Sequence, residues 1–317
     1  MSSFQIRPFR RGDRDQLTSL VNGHVAAVMP GASVSVNAVL NQLEREPGEF
    51  IVDPWVAERC AYVAEQGGAI VAASLLLRYR NDADVGPVYR NAGELRWLLF
   101  WPMAPADNPF WHDGHDAADA LMQTCLGQLD AWGVTRRYAD GNLPYPGVYG
   151  VPAQWPHLEK LYERHGFADV GPVEIVMLAE LDRIDEPGEP PIPGLAVRRL
   201  VGVNGTRVTA HVEGVQLGHI EVEVLDHAER HARAGALADI GNFYVGEAHR
   251  RRGVGGWLLQ HAAQWLRLGR VDRLISYESP DEPDMIRFLE ARHFREITRT
   301  RKGWTKQHDA TGGAPVQ

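Results

Sequence analysis

The pattern of apolar and polar residues divides the chain into segments, and the same order of segments occurs twice. The order is a short strand, a hairpin, another strand, an amphipathic helix, a short strand and a closing helical segment. The segments that can be matched between the first half and the second are 5–9 with 196–200, 60–77 with 208–224, 93–100 with 238–245, 117–132 with 256–268, and 158–167 with 285–294. The two hairpins are predicted to turn at Gly67-Gly68 and near Gly214. Strands interrupted by crossover helices predict a mixed α/β sheet in each half.

The two halves differ between the first strand and the hairpin. The first half has room there for two helices, at about 13–28 and 35–46, whereas the second half passes almost directly from Leu200 to Arg207. The second half is therefore predicted to be a shortened copy of the first.

The segment 182–195 contains four prolines and two glycines among acidic residues. Proline cannot donate the hydrogen bonds of a helix or a central strand, so this composition predicts an extended linker. We expect an N-terminal domain at 1–184, a linker at 185–193, a C-terminal domain at 194–307 and a disordered tail at 308–317.

The composition argues against several classes of protein. The 317 residues include 33 Lys+Arg and 41 Asp+Glu, a formal net charge of −8. Nucleic acids and anionic membranes bind basic surfaces, so we expect neither as a partner. Cys60 and Cys125 are too few for a disulfide framework, the N-terminus is too charged for a signal peptide, and the apolar run 69–77 is too short to span a membrane. These features favour a cytoplasmic protein, as a monomer or a homodimer.

The sequence YVGEAHRRRGVGGWLL, residues 244–259, joins an apolar strand to a helical segment. Backbone N–H groups at a helix N-terminus lack partners and carry partial positive charge, so they favour a phosphate group. Glycines allow close approach to these amides, and arginines pair with phosphate through two hydrogen bonds. The residues that would form this diphosphate site are Arg250, Arg251, Arg252, Gly253, Val254, Gly255 and Gly256.

Other glycine-rich motifs fit this junction less well. A mononucleotide P-loop needs Lys-Ser/Thr after its last glycine, where this chain has Trp257, and the dinucleotide spacing G-x-G-x-x-G is absent. The run 253–256 matches the G-x-x-G of single-strand RNA-binding domains, but the acidic chain argues against RNA. A glycine-rich turn beside a solvated basic helix cap is the remaining alternative.

The run RRRGVG, residues 250–255, placed between a strand and a long helix, resembles the pyrophosphate-binding motif of the GNAT superfamily of N-acetyltransferases. The resemblance is good over 193–305 and extends in outline over 4–181. It implies an α/β fold of two tandem GNAT-like domains, each a mixed, mostly antiparallel sheet flanked by helices. It also implies acetyl-CoA, or another acyl-CoA, as co-substrate in a splay between two strands, and no metal.

The resemblance also implies catalytic roles in the second half. A backbone N–H around Phe243, Tyr244 and Val245 would polarise the thioester carbonyl. Asp239, six residues before Val245, would accept the proton of the amine. Strand alternation predicts that Asp239 faces the same side as Phe243 and Val245; a solvated acid at the strand edge is the alternative.

The proton donor to the leaving thiolate is usually a tyrosine in the closing helix of the family, and Leu289 occupies that position here. Tyr277 and Ser279, at the end of the preceding strand, are therefore the predicted substitutes, with Tyr244 a more distant candidate.

The first half shows the reverse pattern. Tyr162 keeps the donor position and Glu94 corresponds to Asp239, but the junction 100–121 has no arginine. It carries Asp107, Asp113 and Asp116, and carboxylates at a helix N-terminus would repel a diphosphate. We expect this half to have lost the coenzyme site and Tyr162 to pack in its core.

The His/Asp run at 112–116 and the loop 138–156 each allow two interpretations. His112, Asp113, His115 and Asp116 could suggest a metal site, but helix-capping acids explain the run and further ligands are not evident. The long aromatic loop 138–156, with Tyr145 and Tyr149, either lines a ligand cleft or covers a domain interface.

These observations predict an N-acetyltransferase that moves an acetyl group from acetyl-CoA to an amine of a small molecule, with the chemistry in the C-terminal domain. The rival interpretation is a non-catalytic acyl-CoA-binding or sensing protein, which Leu289 at the donor position favours.

Overall fold

The computed structural model describes residues 4–46, 54–102, 114–142, 145, 147–225 and 236–306. The chain divides into two compact units, one of residues 1–172 with 300–317 and the other of residues 173–299. None of the helices within the described ranges combines the length and the apolar character that crossing a membrane needs. The tail predicted at 308–317 lies outside the described residues.

The first unit is a seven-stranded sheet with four helices. Its strands are β1 (Phe4–Pro8), β2 (Val56–Gln66), β3 (Ala69–Tyr79), β4 (Ala92–Phe100), β5 (Arg136–Ala139), β7 (Ala168–Asp169) and β15 (Trp304–Lys306), and its helices are α1 (Arg14–Val28), α2 (Val36–Glu44), α3 (His115–Ala131) and α4 (Pro156–Arg164). The strand order is β1-β2-β3-β4-β5-β15-β7. Only the pair β4–β5 is parallel.

The second unit contains seven strands and two helices. Its strands are β8 (Val173–Glu180), β9 (Ala196–Val201), β10 (Thr206–Val212), β11 (Val215–Val224), β12 (Ala236–Val245), β13 (Val271–Glu278) and β14 (Arg295–Arg301), and its helices are α5 (Val254–Leu268) and α6 (Pro283–Glu290). The order is β14-β8-β13-β12-β11-β10-β9, with β12 and β13 parallel. Thr300 and Arg301, which end β14 and belong to the first unit, pair with the two-residue strand β6 (Val151–Pro152).

The predicted repeat of elements is confirmed. Both hairpins turn at the expected glycines, and each is followed by the expected strand and helix. In the second unit only residues 202–205 separate β9 from β10, so this copy lacks counterparts of α1 and α2 at that position, as the sequence indicates.

The sheets contain a strand exchange that the sequence analysis did not predict. β8, from the end of the first half, lies between β13 and β14, and β15, from the end of the chain, lies between β5 and β7. β8 pairs with β13 along the register Arg273–Glu180 to Glu278–Ile175. The compact units therefore divide the chain near 172 and 299 and not at the predicted linker 185–193.

The proline-rich segment packs against the second unit. Ile184 and Ile192 are buried in the hydrophobic core of this unit. Trp257 Nε1 of α5 donates to Gly188 O at 3.1 Å, and Arg267 Nη1 donates to Ile184 O at 2.9 Å. The segment contains no strand or α-helix, and its apolar residues and carbonyl groups fix it to α5.

Truncating the exchanged strand at Trp304 is expected to destabilise the first unit. Trp304 is 1% exposed, and its ring contacts Tyr162 edge-on at 5.7 Å between centroids. Trp304→Ala should lower the free energy of unfolding by about 3–5 kcal/mol, because removing a buried tryptophan leaves a cavity. The exposed Trp265 of α5 is the control, since Trp265→Ala removes a stacking contact with Arg199 and the hydrogen bond from its Nε1 to Thr206 Oγ1, and should cost less, about 1–2 kcal/mol. Denaturant unfolding of both full-length variants gives the comparison, and equal losses would contradict it.

Candidate active site

Two neighbouring parallel strands of the second unit separate at their carboxyl ends. β12 and β13 pair only from Ala236–Val271 to Asp239–Ile275. Beyond that point the arm 240–245 continues from β12 and the arm 276–278 continues from β13, and no backbone hydrogen bond joins these two arms within the described part of the chain. The carboxyl ends of parallel strands are a common place for ligands, and we call the region between these two unpaired arms the splay.

A β-bulge sits in the arm of β12. Glu221 pairs with Asn242 and Val222 pairs with Ile240, so Gly241 is the extra residue. A bulge of this kind interrupts the strand ladder and shifts the alternation of side chains by one residue. Ile240 lies in the core of the unit, and after the bulge Phe243 and Val245 pack against that same core.

The bulge reverses the predicted orientation of Asp239. Simple alternation put this carboxylate on the face of Phe243 and Val245. In the structure Asp239 pairs with Ile275 and Glu223, and it lies on the opposite face from its neighbours Ala238 and Ile240, which are in the core. Asp239 and Phe243 therefore border the splay from different faces of the sheet.

The N-terminus of α5 presents unpaired backbone amides. Gly253 is the N-cap residue with φ +85°, and the first amide of the helix that donates is that of Trp257, to Gly253 O at 3.0 Å. Within the described ranges, the amides of residues 251–256 have no acceptor. Such a run of free N–H groups forms a concave anion-binding surface.

Packing leaves little room for a side chain at two of the three glycines of this loop. A Cβ at Gly253 would lie 2.8 Å from Pro191 Cβ, and one at Gly256 would lie 2.6 Å from Arg292 Nη2. A Cβ at Gly255 would make ordinary contacts, at 3.4 Å to Phe288 and 3.6 Å to Val245. Gly253 also has a positive φ, a backbone conformation in which a residue with a side chain would be strained.

The three arginines surround this helix end. Arg250, Arg251 and Arg252 are all exposed, and no carboxylate of the described residues pairs with them. Arg250 Nε donates to Val245 O at 3.0 Å, which ties the loop to the end of β12. The first turn of α5 contains no acidic residue. The loop therefore combines free amides with uncompensated positive charge.

Asp239 is held in an environment that favours its neutral form. Burial, and then the charge of Glu223 across the strand pair, raises the pKa of Asp239 to about 6. Its Oδ1 is buried and has no hydrogen-bond partner. A carboxylate with a pKa in this range can take up and release a proton near neutral pH.

The predicted proton donors lie in different surroundings. Tyr277 is half-buried on β13 and shares the face of Ile275 and Asp239 by strand alternation. Ser279 begins the turn into α6, where its Oγ accepts from the Asp281 amide at 3.2 Å. Leu289 is fully buried, and Tyr244 is 49% exposed beside His219. Asp239 and Tyr277 therefore lie on one face of the sheet, whereas the Ser279 hydroxyl stabilises the turn before α6.

Two polar residues near the splay were missed. Ser276 and Glu278 alternate with Tyr277 on β13 and are both buried. Their spacing of two was visible in the run LISYES, but polar positions that alternate along a strand are ordinarily solvated. Their burial becomes evident only in the folded sheet, where β13 pairs with β12 on one side and with β8 on the other.

The first unit has a closed counterpart of the splay. After β4 and β5 cease to pair, Asp140 N donates to Leu95 O at 3.0 Å and Asn142 N donates to Arg96 O at 3.2 Å, so the arms stay joined. Tyr162 is fully buried, and its hydroxyl donates to Asp140 O at 3.0 Å. Tyr162 packs in the core, as the sequence analysis expected.

Glu94, the counterpart of Asp239, is also occupied. It is 3% exposed, accepts from the Tyr79 hydroxyl, and pairs with Arg96 Nη1 at 3.0 Å. Its carboxylate is therefore already engaged by a tyrosine hydroxyl and by a half-buried arginine. Glu94 therefore has a structural environment unlike that of Asp239.

The start of α3 also differs from that of α5. Gly114 N donates to Trp101 O at 3.0 Å, and Asp116 lies in the first turn. Asp107, His112 and Asp113 lie outside the described residues, and the described ranges contain no group of three or more potential metal ligands; His115 contacts the ring of Phe100.

In the loop after β5, Tyr145 is buried. Tyr149 is 38% exposed with Lys302 Nζ 5.4 Å from the centre of its ring. Neither environment distinguishes the two roles proposed for this loop.

Comparison with known proteins gives one family and several similar folds. The sequence model of the Acetyltransferase (GNAT) family matches residues 177–294. No curated protein sequence matches the chain. A tandem GNAT protein from the clavulanic acid biosynthesis pathway, solved without AcCoA, is 17% identical with a TM-score of 0.61, and the match covers 99% of this chain and 100% of that one.

A GCN5-related N-acetyltransferase from Sphaerobacter thermophilus is 15% identical with a TM-score of 0.55, over 96% of this chain and 95% of that one. At these identities the likeness concerns the fold. Residues 177–294 are therefore a domain of the GNAT acetyltransferase family, in a chain whose whole length has the tandem GNAT fold.

Proposed function

We propose that the protein is an acyl-CoA-dependent N-acetyltransferase that transfers an acetyl group from acetyl-CoA to an amine of a small molecule, with the chemistry in the second unit. One observation supports this most: the unpaired amides of residues 251–256 lie at the start of α5, directly after the arm of β12 that borders the splay. The family match covers this same region.

We assign residues of the second unit to the diphosphate, the pantetheine arm and the thioester of the coenzyme. The amides of residues 251–256 and the guanidinium groups of Arg250–Arg252 would hold the diphosphate, because free N–H groups and cations bind phosphate oxygens. The splay between β12 and β13 would receive the pantetheine arm and the thioester. β12 stops pairing with β13 after Asp239, so an N–H around Phe243–Val245 that faces β13 would donate to the thioester oxygen.

Asp239 would act as the proton acceptor. An amine attacks a thioester only when it is neutral, and a carboxylate with a raised pKa is a suitable base near neutral pH. Asp239 borders the splay on the face opposite Phe243 and has a free Oδ1. The acceptor amine is accordingly proposed to approach from the face of Asp239. Tyr277 and Ser279 remain predicted donors.

The first unit is proposed to bind no coenzyme. Its strand arms stay joined, its Glu94 is paired with Arg96, and Gly114 at the start of α3 is hydrogen-bonded to Trp101. The single competent site would then be that of the second unit.

A non-catalytic acyl-CoA-binding protein is the second candidate, because the buried Leu289 removes one route for protonating the thiolate. Calorimetry with acetyl-CoA, followed by thiol release over a broad panel of amines, separates the two. Binding together with amine-dependent thiol release supports the transferase. Binding without thiol release for any amine supports the sensor, and the absence of binding overturns both.

A further inference from the structure

The free arm of β13 carries a buried pair of polar side chains. Ser276 is 4% exposed and Glu278 is 7% exposed. The Ser276 hydroxyl donates to Glu278 Oε1. Both residues lie beyond the last pair between β12 and β13, which joins Asp239 to Ile275, so both border the splay.

Their side chains project toward the core of the second unit. Ser276 pairs with Met177 and Glu278 pairs with Ile175 on β8, and residues paired across strands share a face. Met177 and Ile175 belong to the hydrophobic core that also contains Leu289.

On the opposite arm of the splay, Phe243 and Val245 pack against this same core. Phe243 also contacts Phe288 of α6, at 5.5 Å between ring centroids. Glu278 therefore lies on the α6 face of the splay, the face on which Leu289 replaces a hydroxyl donor. Tyr277 alternates with it and projects to the other face.

The surroundings of Glu278 favour a protonated carboxyl. Burial raises the pKa of Glu278, the Ser276 hydrogen bond opposes this rise, and the charge of Glu282 adds to it. No cation of the described residues pairs with this carboxyl. A neutral carboxyl group is a hydrogen-bond and proton donor.

We propose that Glu278 is the general acid that protonates the departing thiolate, an inference that rests on the proposed transferase function. The amine nitrogen forms a bond with the thioester carbon while the C–S bond breaks and its electron pair passes to sulfur. The proton of the Glu278 carboxyl moves to that sulfur, and the amine proton moves to Asp239. Exchange with water restores both groups, so the net products are the amide and the free thiol.

The direction of this transfer is favourable. A thiol has an ordinary pKa of about 8.5, well above the ordinary pKa of a carboxyl group, so the thiolate is the stronger base. Ser276 holds one oxygen of Glu278 and leaves the other for the sulfur. Ser276 is accordingly a positioning residue.

The test uses the full-length chain with Glu278→Gln, which keeps the size of the side chain and removes the acid. With acetyl-CoA and a reactive amine, kcat should fall by about 100-fold, the usual contribution of a general acid. With an acetyl thioester of an aryl thiol, whose thiolate leaves without protonation, the rate of the variant should stay within about threefold of wild type, since this donor bypasses the proton transfer. Acetyl-CoA affinity and thermal unfolding should be unchanged.

Two further variants keep the test decisive. Glu278→Asp retains an acid and should recover part of the rate, whereas Glu290→Gln, at an exposed carboxylate at the end of α6, should leave the rate at wild type. Equal losses of rate with both donors, or no loss with acetyl-CoA, would overturn the role of Glu278. A wild-type protein that releases no thiol with any amine would instead overturn the transferase function itself.

Discussion

Gly253→Ala is expected to weaken acetyl-CoA binding by at least about 30-fold, a loss of about 2 kcal/mol. Gly253 has φ +85°, where an alanine costs about 1–2 kcal/mol, and its Cβ would lie 2.8 Å from Pro191 Cβ. The loop must move to relieve the backbone strain and the close contact with Pro191. The free amides of residues 251–256 would then no longer converge on one anion. Isothermal titration calorimetry measures the change.

Gly214→Ala is the matched control for this substitution. Gly214 also has φ +85°, in the turn between β10 and β11, and nothing lies within 4 Å of its added Cβ. The control carries the same local backbone strain away from the helix end, so its acetyl-CoA affinity should equal that of wild type. If both variants bind as wild type does, the amides of this loop do not hold the coenzyme.

Asp239→Asn should lower kcat by about 100-fold or more while leaving acetyl-CoA affinity unchanged, because the amide cannot accept a proton. Asp239 acts only when ionised, and its pKa is raised to about 6. The wild-type rate should therefore fall as pH decreases through about 6. The pH profile of kcat at saturating substrates measures this limb, which should vanish in the variant.

Glu223→Gln is the informative companion variant. The charge of Glu223 helps to raise the pKa of Asp239, so its removal should move the acidic limb of the profile to lower pH without abolishing turnover. If the acidic limb of the pH profile stays at the same pH in both Asp239→Asn and Glu223→Gln, the titrating group is a residue other than Asp239.

Much of the fold followed from local patterns. The hairpin turns at Gly67-Gly68 and Gly214, the helices α3 and α5, and the direct passage from β9 to β10 were all predicted. Each of these depends on neighbouring residues, through turn residues with positive φ or apolar positions at helical spacing. The loop 250–256 was identified for the same reason, since a strand, a glycine-rich turn and a helix follow each other directly.

The strand exchange could not be predicted from such patterns. β8 and β15 have the composition of strands, but nothing in a strand sequence states which sheet it joins when two similar sheets are present. The pairing register is decided by packing of both faces, as for Ile175 and Met177 of β8 in the core of the second unit.

The candidate site likewise combines features that the sequence determines with features that only the tertiary structure decides. The sequence by itself determined the repeat of two α/β domains, the arginine- and glycine-rich loop 250–256 and the acidic residue before it, because these are encoded in residues close together along the chain. Only the tertiary structure decided which face Asp239 takes, through the bulge at Gly241, and that Ser276 and Glu278 are buried beside the splay. A bulge and the burial of a strand depend on partner strands that are distant in the sequence, and those partners exist only once the sheet has formed.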